Sequence, residues 1–400
     1  REAGKLDAAR GVLRQQLKAY PKGDMAADAH WLLMRELLDK KDWRGLIKYA
    51  AEVTDPAEQD LYTQGRLGYF TGRAHEALGD PKQARTSYEA VVKAYPLGYY
   101  ALMSLHGLAR LKHGAAATAA APHLCALGAK GVCDVAKPAP DAPITISDAV
   151  RQDVVFRRGV TLLRLGLMPQ ADRELRRMRT RLGKDAEGSW TLAALLDAAG
   201  AYPISHDIPR REIEGWAAHY PQEGAQQRWE IAYPRPFRAS VEGWAGKRGL
   251  EPALVWAIMR EESGFNPKIE SWANARGLLQ LMEPTGRGAA KKDGLEGFTA
   301  AKLFEPETNI RLGTAYMQEL SGQLERHPAL IIAGYNGGYA NVSRWLKDGA
   351  GKLELDLWVE DIPYGQTRNY TKRVLTSYWT YGWLYTEDKV PRLAYKLPVP

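Results

Sequence analysis

Four hundred residues exceed one ordinary hydrophobic core and point to two or three domains, which an apolar content of 45% is enough to fill. No stretch is apolar for the roughly eighteen residues a membrane span needs, which excludes a transmembrane helix. The formal charge is +8, of which residues 236–400 carry only +2, so the upstream part is basic and suits an acidic polymer or surface.

Taken in chain order, helical periodicity dominates and strand alternation is nearly absent, so the expected class is all-α. The chain opens at Arg1 with no initiator Met, which fits a processed or truncated start and leaves any export signal outside it. The clearest early segment is Gly72-Arg73-Ala74-His75-Glu76-Ala77-Leu78-Gly79-Asp80, followed by Pro81 to Pro96. Ala74 and Ala77 let two helices approach closely, Gly79-Asp80 turns the chain, and Pro81 can open the next helix. The pattern resembles a tetratricopeptide helix pair. Leu6 to Pro21 echoes its second helix through the shared Lys-Ala-Tyr-Pro ending, and such pairs stack because none buries its apolar face alone.

Residues 115–143 are Ala-rich, then Gly- and Pro-rich, and read as a long loop or domain boundary. Cys125 and Cys133 fall there, and the sequence suits a disulfide and a reduced pair equally. No further ligand stands nearby, so no zinc site is expected. Helical signal resumes at Ser147, with arginines dense from Arg151 through Arg157, Arg158, Arg164, Arg173, Arg176, Arg177 and Arg179 to Arg181. An acidic partner would suit these, but so would a solvated helix face, given the interleaved Asp172 and Glu174. Nucleic acid is not expected, since no reading motif accompanies the charge. Tyr233-Pro234-Arg235-Pro236 then forbids a continuous helix and marks a second boundary.

Pro252 to Glu262 reads as a helix with its proline in the first turn. At about 100° per residue, Leu254, Val255, Ile258 and Met259 share one arc with Glu262 near its middle. Glu261 lies off that arc and is expected to reach water, and Trp256 and Arg260 take the opposite side. A carboxylic acid held against apolar groups stays protonated and can donate a proton near neutral pH. By helix position alone, a Glu262 that simply emerges into solvent or caps a loop fits as well.

The segments that follow are more specific. Glu262-Ser263-Gly264-Phe265-Asn266-Pro267, then Ser271, then Gly277-Leu278-Leu279-Gln280-Leu281-Met282, resembles the catalytic block of the soluble lytic transglycosylases. Gly334-Tyr335-Asn336-Gly337-Gly338 with Val342 and Trp345-Leu346 resembles that family's third motif. Glu360-Asp361-Ile362-Pro363-Tyr364 with Thr367-Arg368 and Tyr370 resembles its last. The layout of the large members follows as an expectation: a helical-repeat superhelix over 1–146, a helical linker domain over 147–235, and a lysozyme-like α domain over 236–400.

The resemblance implies roles for matching residues. Glu262 would be the sole catalytic acid and base. Ser271 and Gln280 would bind substrate or orient Glu262, and Met282 would pack against a sugar ring. Tyr335 and Asn336 would stand near the carboxyl, Glu360 would line the groove, and Tyr370 would join the substrate site or pack as an ordinary aromatic. Three positions depart from the family pattern: Glu283 shifts the usual proline to Pro284, Asn274 stands where glycine is common, and Gln366 stands where glutamate is frequent.

The implied reaction cleaves the β-1,4 bond between N-acetylmuramic acid and N-acetylglucosamine, closing a 1,6-anhydro ring without metal or cofactor. The implied partner is the peptidoglycan strand, in the periplasm or cell envelope of a bacterium, with room for association with cell-envelope proteins. Two other readings differ in their products. A goose-type lysozyme relative would hydrolyse the same bond, and a helical-repeat scaffold would bind glycan without cutting it.

Overall fold

The computed structural model describes residues 6–113, 144–221, 225–348, 354–386 and 393–398. Cys125 and Cys133, with the predicted loop 115–143, lie outside the described residues apart from its neighbours at either end. Among the described residues every regular element is helical, and β pairing is limited to isolated bridges such as Glu270 with Arg276 and Arg276 with Leu281. No described helix is long and apolar enough to cross a membrane.

The chain divides into two compact units. The first begins with α1 (Leu6–Ala19), α2 (Ala26–Asp39), α3 (Trp43–Glu52), α4 (Arg66–Ala77), α5 (Pro81–Ala94) and α6 (Tyr99–His113). The predicted pair 72–96 is α4 with α5. Gly79 turns the chain at a φ of +75°, and the Asp80 carboxylate accepts from the Gln83 amide at 3.0 Å. Pro81 opens α5, where its missing N–H costs nothing. Close approach of the two helices needs Gly72, because a Cβ there would stand 2.5 Å from the Tyr88 ring. That ring is fully buried, and its hydroxyl donates to Glu76 at 2.7 Å.

The second unit starts with α7 (Asp148–Gln152), α8 (Val154–Arg164), α9 (Met168–Leu182), α10 (Ala186–Ala198), α11 (Tyr202–Ser205), α12 (Asp207–Glu212) and α13 (Ala225–Ala232). Leu175, Trp190, Leu192, Leu196, Ile204 and Ile208 form the core cluster of these helices. The dense arginines of α8 and α9 are largely paired, as a solvated face would have them. Arg158 and Arg177 share Glu174, Arg176 meets Asp172, and Arg181 meets Asp153, each at 2.9 Å.

The same unit continues through α14 (Arg238–Lys247), α15 (Pro252–Ser263), α16 (Glu283–Lys292), α17 (Pro306–Gln323), α18 (Pro328–Gly337) and α19 (Tyr339–Lys347). After α20 (Leu355–Asp361) it ends with α21 (Gly365–Tyr385), which packs along both α15 and α18. The helices of 147–235 and 236–348 group together in this second unit.

Residues 354–361 and 393–397 belong to the first unit. Polar pairing explains why. Asp356 on α20 is buried and accepts from the Tyr69 hydroxyl at 2.8 Å, with Arg73 at 3.2 Å. The nearby Arg73 guanidinium holds this buried carboxyl below its ordinary range against the cost of desolvation. Asp361 pairs with Arg35 at 2.9 Å, and the Leu355 amide donates to the Tyr395 carbonyl at 2.9 Å.

Candidate active site

The site is built on the C-terminal end of α15. This helix is buried all round, beyond the single apolar arc its phase predicts. Trp256 and Arg260, on the expected outer side, are 4% exposed. They are covered because each finds a polar partner. The Trp256 indole donates to the Pro236 carbonyl at 2.9 Å, and Arg260 donates to the Ala232 carbonyl at 3.3 Å while lying 4.1 Å over the Tyr233 ring. Gly264 ends the helix in the left-handed region at φ +53°, and Phe265 follows at φ +66°, buried edge-on against His206.

Two consecutive carboxyls stand at this helix end in opposite settings. Glu262 is partly buried, and its Oε1 accepts from the Tyr370 hydroxyl of α21 at 2.6 Å. Burial pushes it up to about 7; the Glu261 charge adds to that, against the opposing Tyr370 bond and Arg373 charge. Glu261 does not reach water as its helix phase predicts. Its side chain is 3% exposed and lies within 3.2 Å of three guanidiniums: Arg210 at 3.0 Å, Arg260 at 2.9 Å and Arg373 at 3.2 Å. Desolvation raises it, but Arg210, Arg260 and Arg373 together outweigh that and hold it below its ordinary range. The protonated form is thus favoured in one carboxyl and the ionised form in its neighbour.

The loop after α15 brings several predicted residues together by backbone contacts. Tyr335 on α18 donates its hydroxyl to the Leu279 carbonyl at 2.7 Å, and burial together with the nearby Glu262 charge holds its own proton firmly. Gln280 sits in the left-handed region at φ +45°, and its amide donates to the Gly277 carbonyl at 3.0 Å and to that of Ile269 at 3.3 Å. A non-glycine residue held there marks a conformation that the surrounding loop imposes. Asn336 accepts from the Thr367 hydroxyl at 2.8 Å, which ties the end of α18 to the start of α21.

Other predicted residues are placed differently. Ser271 accepts from the Ala275 amide at 3.0 Å and so shapes a tight turn in the loop. Met282 is 41% exposed just before α16 and remains available as a contact surface. Glu360, expected to line the groove, is 3% exposed within the first unit and accepts from the Tyr100 hydroxyl. The buried face of α20 carries Leu355, Asp356, Trp358 and Val359 beside it. Of the aromatic residues in 236–400, Trp256, Trp345 and Trp358 are core, whereas Trp272 at 98%, Tyr364 and Tyr339 are exposed.

The departures from the family pattern have local causes. Asn274 takes a φ of +62°, a conformation that asparagine tolerates better than most residues. Glu283 opens α16, accepts from Arg287 at 2.5 Å and lies 3.9 Å from Arg276, so the added acid is balanced. Gln366 is exposed.

Asn309 on α17 was not apparent as a site residue. It is fully buried, donates to the carbonyls of Leu303 at 2.7 Å and Arg276 at 2.9 Å, and accepts from the Leu279 amide at 2.8 Å. It therefore pins the segment that carries Gln280 and receives Tyr335. A polar side chain among the apolar positions of α17 is the one sequence signal that points to it. Among the described residues no cluster of His, Cys, Asp or Glu is arranged to hold a metal ion.

Tyr370→Phe is expected to lower turnover about tenfold, the usual cost of one hydrogen bond to a charged or reacting group. It also removes a bond that favours the ionised carboxyl, so the alkaline limb of the pH profile should rise. A profile unchanged in both height and position would show that this hydroxyl does not act on Glu262.

Comparison with known proteins agrees with this geometry. Residues 240–356 match the transglycosylase SLT domain, and residues 71–97 match a tetratricopeptide repeat. The soluble lytic murein transglycosylase of Escherichia coli (strain K12) is 35% identical over 113 residues, which are 28% of this chain and 17% of that protein. Its Salmonella typhimurium counterpart is 36% identical over 99 residues, 24% of this chain and 15% of that protein. Among solved structures, the lytic transglycosylase Slt of Pseudomonas aeruginosa, as an inactive mutant, matches with a TM-score of 0.69 at 24% identity. That match covers 96% of this chain and 57% of the other. The 70 kDa soluble lytic transglycosylase of Escherichia coli matches with a TM-score of 0.64 at 20% identity, over 95% of this chain and 56% of that one. The chain therefore spans a little over half the length of the solved structures whose fold it shares. Residues 240–356, with the Glu262 block inside them, are thus similar to the transglycosylase SLT domain, and the chain shares the fold of the solved soluble lytic transglycosylases.

Proposed function

We propose that this chain is a lytic murein transglycosylase, acting on the peptidoglycan glycan strand with Glu262 as its one general acid and base. The observation that carries the reading is the pair at the end of α15: a desolvated Glu262 held by Tyr370 beside a Glu261 neutralised by arginines.

Most glycosidases need two carboxyls, one as acid and one as base or nucleophile. Here the second carboxyl is tied up in ion pairs, so the chemistry must run on one. Glu262 donates its proton to the glycosidic oxygen that leaves with N-acetylglucosamine, as the C1–O bond of the muramic residue breaks. The N-acetyl group of that residue assists from within, a recognised departure from the two-carboxyl scheme. Glu262, now ionised, takes the proton from the C6 hydroxyl of the same sugar, whose oxygen closes on C1. The acid is regenerated and no water is consumed. An internal nucleophile gives this ring closure a high effective concentration.

The remaining parts support positioning. Tyr370 orients Glu262, and Tyr335 and Asn309 fix the segment around Gln280. Trp272 and Met282 offer apolar faces to sugar rings. A peptidoglycan substrate fits a chain that works in the periplasm or cell envelope of a bacterium.

The products test this reading. Incubation with purified sacculi should release muropeptides whose muramic ends resist borohydride reduction, as 1,6-anhydro rings do. Reducible ends would assign the chain to hydrolysis, and binding without release would assign it to a glycan-binding scaffold.

A further inference from the structure

We propose that Glu261 is a positioning residue for Glu262: by gathering Arg210, Arg260 and Arg373 around its own carboxylate, it keeps Arg373 from pairing with the acid next to it. The inference rests on the reading of Glu262 as general acid and names a device that keeps that acid neutral.

The geometry lies in α21. Tyr370 and Arg373 are one turn apart and share a face of that helix. The hydroxyl of the first donates to Glu262 at 2.6 Å, and the guanidinium of the second donates to Glu261 at 3.2 Å. One helix face therefore meets two adjacent carboxyls, with the neutral donor on one and the cation on the other. Arg373 is half-buried, its charge already reaches Glu262, and Glu262 is the next carboxyl along α15. Pairing with Arg373 would ionise Glu262 and remove the proton that the reaction requires.

The other two arginines are less apt to make that exchange. Arg260 has the Ala232 carbonyl, the Ser377 hydroxyl at 3.4 Å and the face of Tyr233. Arg210 comes from α12 rather than from the face of α21 that carries Tyr370. Arg210 and Arg373 both lie outside the matched segment 240–356, so the cage depends on parts of the chain beyond the matched domain.

The remaining groups around Glu262 do not supply a charge. Tyr335 from α18 and Tyr370 from α21 keep their protons, their ionisation opposed by burial and by Glu262 itself. His206, beside Gly264, is held neutral by burial and by Arg260. Lys372 is buried, and its helical phase places it on the far side of α21 from Tyr370. On α14, Arg238 and Glu242 pair with each other at 2.7 Å.

The test is the pH dependence of turnover on sacculi for the full chain and three variants: Glu261→Gln, Arg373→Gln and the two combined. Glu262 works as an acid only when protonated, so activity falls as pH rises through its titration. In Glu261→Gln this alkaline limb should move to lower pH by about one unit or more, the usual effect of a cation at pairing distance. Turnover near neutrality should drop about tenfold and recover in acid. Adding Arg373→Gln should return at least about half of that shift.

An unshifted limb, or the same shift with Arg373 absent, overturns the proposal. If Glu261→Gln does not fold, the combined variant, which removes a cation with its counter-charge, is compared with Arg373→Gln alone. Limbs within about half a unit support the proposal, and a separation of about a full unit overturns it. A wild-type chain that forms no anhydro product would overturn the general-acid reading instead.

Discussion

Glu262→Gln is expected to lose turnover by about 10³-fold or more while the fold stays intact, and to become the more stable protein at alkaline pH. Glutamine keeps the shape and the contact with Tyr370 but has no proton to give, so the acid step and the later base step are both lost. General acid–base catalysis at one step contributes about 10²–10⁴. One group that serves both steps sets the expectation toward the upper part of that range.

The stability effect follows from burial. Folding raises the Glu262 carboxyl from an ordinary value of 4.5 to about 7, so its favourable contribution is present below the unfolded value and is lost as pH rises through the folded one. At pH 8 the wild-type chain must hold a buried carboxylate that the variant lacks. The variant should then be more stable by about 2–3 kcal/mol, and the gap should shrink below about 1 kcal/mol at pH 5. Denaturant unfolding at the two pH values measures both. A variant that is less stable than wild type at pH 8 would mean that Glu262 is not held in the protonated form.

Gly277→Ala carries the second large expected effect. Gly277 sits at φ +74°, where an L-residue is strained, and an added Cβ would fall 2.1 Å from the Leu303 carbonyl oxygen and 2.4 Å from the Asn309 amide nitrogen. Neither can move cheaply, because the Asn309 amide donates to that same carbonyl at 2.7 Å and to the Arg276 carbonyl at 2.9 Å. Strain and overpacking together should cost about 3 kcal/mol or more. The segment 276–280 would shift with the loss, and turnover should fall because Tyr335 docks on Leu279. Thermal unfolding and activity measured together check this. An alanine variant with wild-type stability would show that the tight passage between Gly277 and Leu303 is not a constraint.

The helical class and the positions of the main helices were legible because proline, glycine and apolar spacing act locally. Pro81 and Pro252 open α5 and α15 where they were expected, and Gly264 closes the latter. Helix phase set Glu262 beside Ile258 and Met259 one turn back but left open whether it stayed desolvated, which the Tyr370 contact from α21 decides. Glu261 was misread because its burial depends on Arg210 and Arg373, 51 and 112 residues away, and phase within one helix carries no information about them.

Long-range pairing hides other placements from the sequence. The burial of Glu360 is one, since α20 folds with the first unit through Tyr69, Arg73 and Tyr100, more than 250 residues upstream. Asn309 is one residue of an ordinary helix, and only the loop it pins, some 30 residues earlier, shows its role.

The central claim is that Glu262 turns the sugar's own C6 hydroxyl on C1, with no water entering the bond. Digestion of purified sacculi in H₂¹⁸O, followed by mass spectrometry of the released muropeptides, tests it most directly. The account predicts muramic ends with no ¹⁸O and a mass one water below the hydrolytic product. One ¹⁸O at C1 of every new end would contradict it and make water the nucleophile.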